Sequence, residues 1–214
     1  MTPDPRFIFL SRNHREAFAH LLYGSDNRTG GIPLTGEVGA GKTTVLRALL
    51  AQLDPGRYCT ALIFNPSPSP LELLRSINRE FGIAAEGEEL SRLLDALNGF
   101  LLEQNRSGKT VVLVIDEAQQ LAPPVLEQMR LISNLETDTE KLIQIVMAGQ
   151  PELGRMLARE ELRQLDQRIA VRFHLRPMDF HDTSGYIAHR LGMVNGKGHP
   201  QFTRAALRLI RGYS

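Results

Sequence analysis

The segment Gly36-Glu37-Val38-Gly39-Ala40-Gly41-Lys42-Thr43-Thr44 completes the pattern G-x-x-x-x-G-K-[ST], and it constrains the fold of this chain more than any other stretch. Such a loop works only between a strand and a helix. Its glycines let the backbone curl so that successive N–H groups converge on phosphate oxygens. Lys42 then places a positive charge on the β- and γ-phosphates, and the Thr43 hydroxyl is suited to ligate magnesium. The flanks agree. Gly31 to Thr35 reads as a short buried strand, and Thr44 to Leu50 carries apolar positions at helical spacing. Residues 36–44 are therefore expected to bind ATP or ADP with Mg2+.

A second element fits the first. Thr110-Val111-Val112-Leu113-Val114-Ile115 is apolar almost throughout and ends in Asp116-Glu117-Ala118-Gln119. A run without alternation suits a strand covered on both faces, as in parallel sheets. Ligands bind such sheets at the carboxyl ends of the strands. There, Asp116 is expected to hold the hydrated magnesium through its bound waters, and Glu117 to orient and polarise a water for in-line attack on the γ-phosphorus.

Composition sets outer bounds. The 214 residues are 42% hydrophobic and 23% charged, enough for one core and a small appendage. A net charge of +1 supplies no strong field toward nucleic acid or anionic lipid. The single cysteine, Cys59, rules out a disulfide framework and fits a reducing compartment. The histidines are scattered without zinc-ligand spacing. No apolar run reaches the length of a membrane span, so a cytoplasmic location is expected, with any attachment to the inner face of the inner membrane made through regions outside this sequence.

Strands and helices alternate along the chain. After an extended start over residues 1–10, Arg12 to Tyr23 reads as a helix with Ser11 as N-cap. Strands are expected at Tyr58–Phe64 and Leu142–Ala148, and a last one from Arg168 to Leu175. Helices are expected near 71–81, 90–104, 123–135, 152–166, 179–193 and 202–211, with Leu93, Leu94, Leu97 and Leu101 on one face of the second. This order implies a parallel sheet with helices on both faces. Pro33 interrupts the strand before the loop, where it removes a ladder donor and is expected to shorten or bulge that strand. Arg204, Arg208 and Arg211 share one helical face, read as a solvated face in preference to a phosphate or DNA contact.

The chain lacks the serine-glycine-glycine helix of transporter ATPases, and it has no room for the second domain of large helicases. An extra strand ending at Gln150, followed by a helix bearing Arg163 and Arg168, is the layout of the AAA+ ATPases. The resemblance narrows further. Thr2 to Ala17 resembles the N-terminal signature of the general secretion pathway protein A family. So do Glu127 to Thr137, Ala148 to Leu153 and Leu162 to Ile169. The fold so implied is α/β, a three-layer P-loop NTPase of the AAA+ kind with a central parallel five-stranded sheet and a partial C-terminal helical lid. Residues 1–176 would form the nucleotide-binding domain and 177–214 the beginning of the lid.

The same resemblance implies roles. Gln150 would sense the γ-phosphate, and Asn65 would restrain Glu117 until a partner engages. Arg168, or Arg163, would act in trans as the arginine finger of a homo-oligomer. His14, with Arg12 and Arg15, would pack near the adenine. The implied function is an Mg-dependent ATPase that assembles or remodels a bacterial cell-envelope secretion or export apparatus, with a protein of that apparatus as partner. The alternative is an ATP-dependent regulator of DNA transposition that binds duplex DNA. The family continues past Arg211-Gly212-Tyr213-Ser214 into a Gly-Ile-Pro-Arg block carrying a sensor-2 arginine. The lid is therefore expected to be incomplete here and hydrolysis slow. Asp166 stands where the family is often basic.

Overall fold

The structure is a computed structural model and describes residues 9–67, 69–84, 89–137, 140–169, 171–194 and 202–212. Residues 2–8 of the N-terminal signature, and the extended conformation expected for residues 1–8, lie outside the described residues. So do Pro68, Ala170 and the side chain of Arg211.

Helix α1 (Arg12–Asp26) opens on Ser11, whose hydroxyl accepts from the His14 N–H. Strand β1 (Gly31–Gly36), helix α2 (Lys42–Gln52) and strand β2 (Tyr58–Ile63) follow. Helices α3 (Pro70–Glu80) and α4 (Leu90–Arg106) lead to β3 (Thr110–Ile115). Helix α5 (Pro123–Ser133) starts on its two prolines, which suit a first turn that needs no N–H, and β4 (Ile143–Gly149) comes next. Helices α6 (Pro151–Leu157) and α7 (Arg163–Gln167), strand β5 (Phe173–Leu175), and helices α8 (Phe180–Val194) and α9 (Arg204–Gly212) complete the order.

The five strands form one sheet in the order β2-β3-β4-β1-β5, and every pairing is parallel. Period-two alternation divides each central strand between two cores. Val111, Leu113 and Ile115 of β3, with Ile143, Ile145 and Met147 of β4, pack under α3 to α7. Val112, Val114, Val146 and Ala148 face the other way, onto Ala17 and Leu21 of α1 and Val45, Leu46 and Leu49 of α2. The result is a sheet between two helical layers. It explains why β3 and β4 read as unbroken apolar runs.

Two expectations are corrected at the β1–β5 edge. Pro33 neither shortens nor bulges β1, because β1 stays in continuous register with β4 from Gly31↔Ile145 to Thr35↔Gly149. The carbonyl of Gly30 faces β4, where it accepts from Ile145 N–H, and the N–H of Gly31 faces the other side, where it donates to Arg168 O. By alternation the nitrogen of Pro33 also faces the β5 side. The absent donor falls there, between the isolated bridge Gly31↔Ile169 and the first register pair of β5, Leu34↔Phe173. The strand expected from Arg168 to Leu175 is accordingly reduced to Phe173–Leu175.

Candidate functional site

The phosphate loop leaves the carboxyl end of β1 and enters α2. Gly39 and Gly41 have φ of +80° and +92°, a region that side-chain-bearing residues avoid. Gly41 is the N-cap of α2 and supplies no side-chain cap, so the first-turn N–H groups stay open to the loop. A Cβ at Gly41 would also stand 2.3 Å from Nε2 of His14.

His14 is buried against this loop. Its Nε2–H donates to the Ala40 carbonyl at 2.9 Å, and its Nδ1 accepts from the Ser11 hydroxyl at 2.6 Å. A carbonyl can only accept, so Nε2 carries a proton, and in the neutral ring Nδ1 is the acceptor. Burial lowers the His14 pKa, and the Ala40 bond and the Asp182 charge oppose that shift. Both ring nitrogens thus serve the loop's backbone and the cap of α1. Arg12 and Arg15 are exposed, and Arg15 donates to Leu10 O at 2.7 Å.

The Lys42 ammonium is buried and donates to the carbonyls of Gly36 and Glu37 at 2.7 and 2.9 Å. The Thr43 hydroxyl donates to Oδ2 of Asp116 at 2.7 Å. Asp116 is 2% exposed, and its Oδ1 accepts from the N–H of Glu117 at 2.9 Å. Two hard oxygens side by side would suit a hard divalent cation such as Mg2+. Among the described residues no three His, Cys, Asp or Glu side chains gather into a metal cage. The hydroxyl and carboxylate of Thr43 and Asp116 would leave room for the waters that Mg2+ usually keeps.

Glu117 and Gln150 face the loop across a cavity of about 220 Å³, whose other walls come from residues 38–44. That space is below the roughly 300 Å³ at which whole-ligand pockets begin and suits a phosphate tail. Glu117 has φ +54° and Asn65 has φ +50°. Each lies two residues beyond the end of its strand, and those two strands pair as far as Ile63↔Ile115. Asn65 is exposed and makes no hydrogen bond to Glu117. The carboxylate accepts instead from Gln119, whose Nε2 donates to Oε2 of Glu117 at 2.7 Å. Sequence reasoning assigned Gln119 no role; its position two residues after Glu117 is the available signal, and the turn that brings the two together leaves no local pattern.

Arg168 lies at the far end of the sheet. Its carbonyl accepts from Gly31 N–H at the first residue of β1, while the phosphate loop begins at Gly36. Five steps along a strand separate the two by roughly 17 Å. The guanidinium of Arg168 is 3.6 Å from Glu136 and donates to Ser133 O at 3.4 Å. Arg163 is exposed on the first turn of α7. Neither arginine reaches the loop of its own chain. Asp166 accepts from Arg172 at 2.5 Å. Phe9 stacks edge-on against Tyr186 of α8, with ring centroids 6.0 Å apart. No helix among the described residues is long and apolar enough to cross a membrane.

Known proteins share this arrangement. The chain is 46% identical over 98% of its length to General secretion pathway protein A of Aeromonas hydrophila, and it spans 38% of that relative. This bears out the resemblance read from the sequence. Among solved structures, the Aeropyrum pernix ORC2 protein in ADPNP and ADP complexes superposes with a TM-score of 0.70 at 19% identity, covering 97% of this chain and 60% of that one. Cdc6p from Pyrobaculum aerophilum gives a TM-score of 0.68 at 19% identity over 98% of this chain and 58% of its own. At such identities the likeness is one of fold. Residues 26–157, more than half of the sequence, match the AAA domain family, and the phosphate loop and acidic strand just described fall inside that span, so the chain belongs to the AAA domain family.

Proposed function

We propose that this chain binds ATP with Mg2+, hydrolyses it, and uses the cycle to assemble or remodel a bacterial cell-envelope secretion apparatus at the cytoplasmic face of the inner membrane. The observation that carries the reading is the 2.7 Å pairing of Thr43 with Asp116 beside Lys42, with Glu117 across the cavity. The loop amides and Lys42 hold the phosphates. Thr43 and Asp116 hold the magnesium, which when bound neutralises charge on the β- and γ-phosphates. Glu117 orients the attacking water and takes its proton, and Gln150 senses the γ-phosphate from the cap of α6. Asn65, two residues beyond the end of β2, adjusts Glu117 when a partner engages.

Arg168, which sits at the far end of the sheet from its own loop, or the exposed Arg163 serves a neighbouring copy, and the working form is a homo-oligomer. An arginine given in trans is worth about 10³–10⁵ in rate. ATP and ADP favour different assembly states only through their different affinities for those states. The secretion role is supported by the 46% identity to General secretion pathway protein A. Residues 177–214 are read as the start of a lid.

Calorimetric titration with ATP and Mg2+ tests the base of this proposal. Heat is expected with the unaltered chain and none with Lys42→Ala. Equal behaviour of the two would remove the nucleotide site. Duplex DNA binding that requires ATP and weakens steeply with salt would replace the export role with a nucleic-acid role.

A further inference from the structure

Gln119 lies in the short 3-10 turn Ala118–Gln120 that follows Glu117, and the left-handed backbone of Glu117 brings the side chains of 117 and 119 to the same place. Its amide is used at both ends. Oε1 accepts from the backbone N–H of Gln150 at 3.1 Å, and Nε2 donates to Oε2 of Glu117 at 2.7 Å. A backbone N–H can only donate, so the first bond fixes which end of the amide is oxygen and leaves the donor for Glu117. Gly149 makes the room: a Cβ there would stand 2.8 Å from Oε1 of Gln119.

We propose that Gln119 is a positioning residue for Glu117. It holds one carboxylate oxygen, leaving Oε1 for the cavity that Glu117 and Gln150 share with the phosphate loop. It also ties that orientation to the junction of β4 and α6, because the same amide accepts from Gln150. A displacement of Gln150 by a bound phosphate is passed to the carboxylate through one side chain. Asn65 makes no such bond; the amide that meets the carboxylate is that of Gln119. The inference rests on the reading of Glu117 as the group that activates water.

A purely structural Gln119 would cap the Gln150 N–H and nothing more. Gln119→Glu separates the two roles, since it keeps shape and acceptor, removes the donor, and sets a second carboxylate beside Glu117. Gln119→Leu removes both functions. Single-turnover ATPase rates, KM for ATP, affinity for a fluorescent ADP and melting temperature are measured for the unaltered chain, both variants and Glu117→Gln.

For Gln119→Glu the rate is expected to fall about 10- to 100-fold, the scale of a misplaced catalytic group. KM, ADP affinity and melting temperature stay within twofold or unchanged. A Gln119→Glu rate within twofold of the unaltered chain, or above it, with Glu117→Gln inactive, would overturn the positioning role alone. So would a rate loss matched by equal loss of ADP affinity or of melting temperature. A Glu117→Gln variant that turns over normally would overturn the reading of Glu117, and the inference with it.

Discussion

The imidazole of His14 donates from Nε2 to the carbonyl oxygen of Ala40 at 2.9 Å, tying the first helix to the inner side of the phosphate loop. Removing the ring leaves a buried carbonyl without its donor, which costs about 1–3 kcal/mol. His14→Ala is therefore expected to weaken ADP affinity about tenfold or more, measured by fluorescence titration. The pH dependence has a defined sign. Burial holds the folded-state pKa below the ordinary 6.5, so the unfolded chain takes the proton first as pH falls. Stability is thus fully present above pH 6.5 and declines below it. Denaturant midpoints between pH 5 and 8 should show this slope in the unaltered chain and a flatter one in His14→Ala; equal slopes would exclude His14 as the source.

Thr43→Val keeps the shape of the side chain and removes the hydroxyl that meets Asp116. Affinity for ATP in the presence of Mg2+ is expected to fall to its value in EDTA, while the EDTA value stays unchanged. A variant that gains as much affinity from Mg2+ as the unaltered chain would show that Thr43 is not a ligand.

The separation of Arg168 from its own loop gives a test by mixing. Arg168→Ala and Lys42→Ala chains should each be nearly inactive, with Arg168→Ala binding ADP normally. Mixed in equal amounts they should regain a fraction of the activity that grows with protein concentration, because one intact loop then meets one intact arginine. No recovery, with Arg163→Ala inactive in the same assay, would move the role to Arg163.

Tyr58 at the start of β2 donates its hydroxyl to Asp26 at the end of α1. Burial raises its pKa first, and the Asp26 bond adds to the shift, to about 12. The stability this contributes is complete below pH 10 and is lost as pH rises toward 12. Tyr58→Phe should lower stability by about 1 kcal/mol at pH 8 and flatten that alkaline decline. Denaturation curves from pH 8 to 12 measure both.

Most of the sheet was legible because β3 and β4 are covered on both faces, and Val111 to Ile115 and Ile143 to Met147 have nothing polar to hide except Gln144, which accepts from Gly30 N–H. The loop at Gly36 to Thr44 was legible because its chemistry is local. The length of β5 was not, since it depends on Pro33, more than a hundred residues earlier in sequence and adjacent only in the sheet. The tie between Gln119, Glu117 and Gln150 was hidden for a similar reason. It requires a left-handed residue at 117 and the meeting of two strand ends, and neither leaves a periodic signature.

The proline in β1 has a mechanical consequence. The β1–β4 seam closes over five register pairs and the β1–β5 seam over three. Everything that follows β5, including the helix whose Tyr186 rests on Phe9, is stitched to the sheet along its weakest edge. Local opening begins where the backbone ladder is shortest. The C-terminal helices are accordingly expected to open before the central strands beneath the phosphate loop, which amide hydrogen exchange would show as lower protection beyond β5.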